Sequence, residues 1–99
     1  MVAKHTMWDK DGVHVWAERT WAGDLTISGQ HLMEGVEYEY AITISSEDVH
    51  RIAEALGCPF NLVLPALRDK FPQILAAGGE LTWLNSLGVQ PKMWSRYEE

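Results

Sequence analysis

The chain has 99 residues, a formal charge of −6 and a single cysteine, Cys58. One cysteine excludes an internal disulfide, and the acidic balance disfavours phosphate backbones and anionic membranes as partners while favouring basic proteins. With 46% hydrophobic residues the chain can bury one core, whereas two domains would each be too small, so we expect a single domain over residues 1–99. The sequence shows neither a charged-then-apolar leader nor a long apolar run, which predicts a cytoplasmic protein.

The first half of the chain alternates apolar and polar residues at the two-residue period of half-buried strands. This pattern predicts strands over residues 13–21, 25–31 and 36–44. A short edge strand is expected around residues 5–8, and Asp11-Gly12 is a turn signal that follows it. Gly29 interrupts the second of the three main strands, and it indicates either a bulge or a place where a larger neighbour crosses the sheet.

The register follows from matching the apolar faces of neighbouring strands. A three-residue loop over residues 22–24 pairs Trp21 with Leu25, and a four-residue loop over residues 32–35 pairs His31 with Val36. The result is an antiparallel meander with one apolar and one polar face. The polar face is predicted to carry His14, Trp16, Glu18, Thr26, Ser28, Gln30, Glu37 and Glu39.

The period changes to that of a helix after residue 44. Ser45 or Ser46 can cap this helix, Ser45 and Asp48 have capping-box spacing, and Gly57 is suited to the left-handed position that ends it. The apolar stripe that would pack on the sheet consists of Val49, Ile52, Ala53 and Leu56.

The second half of the chain predicts further helices and an extended tail. Asn61 can cap a second helix that runs to about Lys70, with a break at Phe71-Pro72. A third helical segment has Gly78-Gly79 in its middle, which predicts a break there, and residues 89–97 form an extended tail. The predicted fold class is therefore α+β: a three- or four-stranded antiparallel meander with two or three helices packed on one face.

Four strings of the chain, VEYEYAITI, DVHRIAEALG, WLNSLGV and MWSR, resemble in order and spacing a set of small uncharacterised actinobacterial proteins. The resemblance covers roughly residues 13–97 and implies one domain in a bacterial cytosolic setting. It implies no activity, and it assigns no catalytic or binding residue to this chain.

The sequence offers few groups for catalysis or metal binding. Cys58 follows the C-terminal end of a predicted helix, which is the wrong end of the helix dipole for a reactive thiolate. The four histidines are scattered without ligand spacing, so we expect no metal, no cofactor and no enzymatic activity.

Acidic and aromatic residues on the predicted polar face favour a protein-binding function. Exposed tryptophan amid carboxylates suits an interface in which charge steers a basic partner and the ring anchors it. We therefore expect a small acidic binding protein, similar in its mode of action to immunity proteins and antitoxins, that neutralises or regulates a basic partner. The predicted partner-binding residues are Trp16, Glu18, Trp21, Glu37 and Glu39.

Two alternatives remain open on the sequence alone. The first is a small enzyme or ligand-binding protein with a cleft between sheet and helices, lined by Tyr38 or Tyr40, His31 and Cys58. The second is a structural protein that self-associates through the open face of the sheet. A competing interpretation of Trp16 is that another segment covers it in a second small core.

Overall fold

The computed structural model describes residues 4–33 and 35–98 and places them in an α+β fold, with three α-helices on one face of a five-stranded antiparallel sheet. The strands are β1 (Lys4–Lys10), β2 (Val13–Arg19), β3 (Leu25–Met33), β4 (Val36–Ile44) and β5 (Lys92–Glu98), in the spatial order β1-β2-β3-β4-β5. The helices are α1 (Ser46–Leu56), α2 (Val63–Ala76) and α3 (Glu80–Ser86). The α+β prediction is confirmed, while the predicted strand number falls short of the five that form.

The strand pairing keeps the predicted faces but differs from the predicted register by two residues. Arg19 lies opposite Leu25, and Met33 lies opposite Val36, so both predicted loop lengths are wrong. A shift of two residues leaves every side chain on the same face of the sheet. The apolar face therefore meets the helices as predicted. We call the opposite side, which no described helix covers, the open face.

Arg19 explains why the β2–β3 connection is longer than the sequence pattern predicts. Its guanidinium donates to the Gly23 carbonyl at 3.0 and 2.7 Å and to the Phe60 carbonyl at 3.2 Å. The loop is closed further by the Thr20 N–H, which donates to the Asp24 carbonyl at 2.9 Å. Trp21 is thereby held at the tip of the loop, away from the paired strands.

Helix α1 begins and ends where the sequence predicts. The Ser45 hydroxyl accepts from the Asp48 N–H, and Gly57 adopts the left-handed conformation that ends the helix. The Asp24 carboxylate also accepts from the Ser46 N–H at 2.9 Å, so the β2–β3 loop helps to cap the helix. Val49, Ile52 and Ala53 are buried against the sheet, as their spacing indicates.

The predicted break at Pro72 is wrong, because α2 continues through it to Ala76. Phe71 and Ile74 on either side of the proline are buried in the core, which favours keeping the helix intact. Pro72 has no N–H to donate to the Arg68 carbonyl four residues earlier. Both residues are exposed to solvent. The predicted break at Gly78-Gly79 is confirmed, since it separates α2 from α3.

The predicted extended tail forms β5, which pairs along β4. Ala41 lies opposite Trp94, and Glu39 lies opposite Arg96, so these β5 residues join the open face. The core on the other face is built from buried aliphatic and aromatic side chains of four strands and all three helices. In the part of the chain that the structure describes, no helix has the length and apolar character needed to cross a membrane.

Candidate functional site

A cleft lies between the helix-covered face of the sheet and the junction of α2 with α3. Its volume is about 420 Å³, and most of its surface is apolar. The two glycines of the junction, Gly78 and Gly79, contribute no side chains to fill this space. The described residues that line the cleft are Trp8, Val13, Val15, His31, Tyr38, Tyr40, Ile42, Leu75, Gly78, Gly79, Glu80, Leu81 and Met93.

Three aromatic rings on β3 and β4 form one wall of the cleft. The ring centroid of His31 lies 5.8 Å from that of Tyr38 and 5.9 Å from that of Tyr40, with both pairs edge to face. The Tyr38 and Tyr40 centroids are 5.9 Å apart, so the three rings contact one another. Tyr97 of β5 extends the group, with its centroid 4.5 Å from that of Tyr38. Edge-to-face geometry of this kind holds the rings in fixed orientations.

Gly29 allows the Tyr40 ring to take its position. Gly29 lies directly opposite Tyr40, and a Cβ atom at Gly29 would overlap the ring and the hydroxyl oxygen of Tyr40. Of the two explanations that the sequence allowed for this glycine, crossing by a larger neighbour is confirmed.

The Tyr40 hydroxyl donates to Glu80 Oε2 at 3.1 Å and so joins the sheet to the first residue of α3. Burial raises the pKa of the Glu80 carboxyl, and the Tyr40 hydrogen bond and the nearby His31 partly offset that rise. Burial also raises the pKa of the Tyr40 phenol, and the Glu80 charge adds to the effect. The cleft therefore combines an apolar lining with a carboxylate whose charged form is costly to maintain.

The cleft matches one predicted alternative only in part. His31, Tyr38 and Tyr40 come together as that alternative requires, but Cys58 does not line the cleft and packs instead against the core beyond α1. Trp8 and Glu80 were missed by sequence reasoning. An acid next to two glycines at a predicted helix break could have drawn attention to Glu80, and the predicted register already placed Gly29 opposite a tyrosine.

Four of the five predicted partner-binding residues share the open face. Trp16 is half-buried, and the Lys4 ammonium lies 4.5 Å from its ring centroid. Glu18 lies directly opposite Lys4 in the pairing of β1 with β2. Glu37 accepts a hydrogen bond from the Gln30 side chain, and Glu39 lies 3.1 Å from the Arg96 guanidinium. Trp21, the fifth, sits at the tip of the β2–β3 loop and is 84% exposed.

Strand β5 changes the character of the open face. It adds Lys92 and Arg96 beside the acidic residues of β4. The open face is therefore less acidic than β2, β3 and β4 alone would make it. Strand β5 also adds Trp94, which is 52% exposed and lines a shallow depression together with Trp16. The open face thus carries two tryptophans and charges of both signs.

The described residues contain no group of three His, Cys, Asp or Glu side chains that could hold a metal ion. Outside the cleft, His14 forms a pair with Asp9, whose carboxylate oxygen lies 2.8 Å from Nδ1. No protein-family model matches the chain, and neither a curated protein nor a solved structure shows significant similarity to it.

Proposed function

We propose that this protein is a small-molecule-binding protein and that the cleft between the sheet and the α2–α3 junction is its ligand site. The observation that carries the proposal is an apolar cavity of about 420 Å³ with a few polar groups converging on it. Ligand sites are concave, mostly apolar and lined by a small number of placed polar groups. The hydrogen-bonded Tyr40 and Glu80 supply those groups here.

The polar groups of the lining are few and are placed to orient a ligand. The described lining residues include no cysteine, serine or lysine, and the groups that could take part in acid-base chemistry are His31, Tyr40 and Glu80. Tyr40 and Glu80 are hydrogen-bonded to each other, which suits orientation of a ligand. The proposal takes up the ligand-binding alternative that the sequence left open, and its partner is a small molecule where the first expectation was a protein.

A cavity-filling substitution tests this function. Fragments of mixed charge are screened by NMR against protein with labelled methyl groups, and we expect shift changes to cluster at Val15, Ile42 and Leu81. Val13→Phe places a ring at the cleft and should weaken binding at least about tenfold. Val36→Phe is the control, because Val36 is half-buried and does not line the cleft. The proposal fails if no fragment perturbs the cleft methyl groups, or if Val13→Phe binds as the unmodified protein does.

The open face favours a second candidate function, docking of a basic protein partner as expected from the sequence. The specific observation is that Trp16 and Trp94 lie together on a sheet face that no described helix covers. Such rings are typical anchors of protein interfaces, and the neighbouring Glu37 and Glu39 would supply the steering charge. A partner would be isolated by affinity capture from cell lysate at low salt.

Charge reversal tests this second function. Replacing Glu37 and Glu39 together by lysine should slow association with the captured partner by about tenfold or more at low salt, with less effect at moderate salt. The control replaces Glu47 and Glu54 by lysine. Both residues are exposed on α1, so this variant has the same net charge but is changed at another surface. Equal slowing by both pairs would assign the effect to net charge and would remove the open face from the docking function.

A further inference from the structure

We propose that the cleft selects small organic cations, in which a primary or quaternary ammonium group is attached to an apolar body. This inference rests on the ligand-binding function proposed above and names the class of ligand. It follows from the sign of the charge in the cleft, from its aromatic wall and from the way Glu80 is held.

The charge of the cleft has one sign. Glu80 contributes a carboxylate, and none of the described lining residues is a lysine or an arginine. The other titratable groups that face this carboxylate are the imidazole of His31 and the phenols of Tyr38 and Tyr40. When the histidine is neutral, the lining is therefore anionic, and a cation is the ligand whose charge it complements.

The aromatic wall provides a second attraction for a cation. The rings of His31, Tyr38 and Tyr40 lie within 5.9 Å of one another, centroid to centroid, and Trp8 contributes a further ring to the lining. Aromatic faces carry negative partial charge, and several rings around one site attract ammonium groups even when those groups cannot donate hydrogen bonds. The aliphatic residues of the lining accommodate the apolar body of such a ligand.

The Glu80 carboxylate is oriented but not saturated. The Tyr40 hydroxyl and the backbone N–H of Glu80 itself each occupy an acceptor site, and an ionised carboxylate has about four such sites. Burial raises the pKa of Glu80, and its hydrogen bonds and the nearby His31 offset only part of the cost of its charge. A bound cation would compensate it, and this gain distinguishes a cation from a neutral ligand of the same shape.

Three probes of nearly equal shape test the selectivity: phenyltrimethylammonium, its neutral isostere tert-butylbenzene, and the anionic benzenesulfonate. They are titrated by methyl NMR at about pH 8, where histidine side chains are ordinarily neutral. We expect the cation to bind at least about tenfold tighter than the neutral isostere, and the anion to bind weakest. The same titrations are made with Glu80→Gln, which removes the charge and keeps an acceptor for the Tyr40 hydroxyl.

The outcomes separate the class of ligand from the existence of the site. The cation should bind Glu80→Gln about tenfold more weakly than it binds the unmodified protein, since the substitution removes only the charge. The affinity of the neutral isostere should be unchanged. Equal binding of cation and neutral isostere, or no effect of Glu80→Gln, would overturn the cation inference and leave the cleft as a ligand site. If none of the three probes perturbs the cleft methyl groups, the cation inference is overturned, while the ligand-binding function is decided by the wider fragment screen.

Discussion

Gly29→Ala should destabilise the protein by about 2 kcal/mol, although alanine ordinarily stabilises a strand relative to glycine. The added methyl group would overlap the Tyr40 ring, which lies across Gly29. The ring must then move, and its hydrogen bond to Glu80 would be lost. Thermal unfolding should show a fall in Tm of roughly 10 °C, because about 1 kcal/mol corresponds to 4–8 °C in a domain of this size.

A double-mutant cycle identifies the cause of that loss. In a Tyr40→Ala background the ring is absent, so adding Gly29→Ala should lower the free energy of unfolding little further or not at all. The expected coupling between the two positions is about 2 kcal/mol. Simple additivity of the two losses would mean that the methyl group acts on something other than Tyr40, and the role of Gly29 in making room for the Tyr40 ring would be wrong.

Glu80→Gln should stabilise the protein at neutral pH, by roughly 0.5 to 1 kcal/mol. Burial raises the folded-state pKa of Glu80 above its unfolded value, so the protonated form is favoured in the fold. Below the unfolded pKa both proteins are neutral at this position and should be about equally stable. The difference should grow as pH rises through the folded pKa, because the native protein then carries an ionised carboxylate in the cleft. The magnitude is modest because Glu80 is only partly buried and water screens its charge.

Denaturant unfolding of both proteins between about pH 4 and pH 8 measures this effect. Glu47→Gln is the matched control, since Glu47 lies in the first turn of α1 but is exposed. Removing the charge of Glu47 should slightly lower the free energy of unfolding at neutral pH, because a carboxylate near a helix N-terminus is stabilising. A Glu80→Gln variant that is no more stable than the unmodified protein at about pH 8 would contradict the prediction.

A gain in stability together with a loss of cation binding would have a functional meaning. Residues that lower stability in the free protein are retained where binding requires them. Glu80 would then resemble other charged groups kept in apolar sites for the sake of a ligand. The combined result would also separate a ligand-binding role from a purely structural contact between β4 and α3.

Strand β4 contributes to both proposed functions because its side chains alternate. Glu37 and Glu39 lie on the open face, whereas Tyr38 and Tyr40 lie on the wall of the cleft. A shift of one residue in its pairing would exchange the two sets. Substitutions on one face can thus be made without altering the other, which allows the ligand-binding and docking functions to be tested independently.

The local pattern of the sequence was sufficient for the faces of β2, β3 and β4 and for both ends of α1. Alternation at a two-residue period, the Ser45 cap and the left-handed Gly57 depend on neighbouring residues, so they can be inferred without the fold. The assignment of Glu37 and Glu39 to one face and of Tyr38 and Tyr40 to the other follows from the same alternation.

Tertiary structure alone decided the rest. Helix α2 passes through Pro72 because burial of Phe71 and Ile74 outweighs one missing hydrogen bond, and β5 forms because β4 offers it an unpaired edge. The cleft brings Trp8 and Tyr40 together with Glu80, which follows Tyr40 by forty positions along the chain. Such contacts depend on how elements pack, and packing is set by the shapes of side chains that are distant in sequence. Periodicity could therefore place each residue on a face of its own strand or helix, but it could not bring these residues into one site.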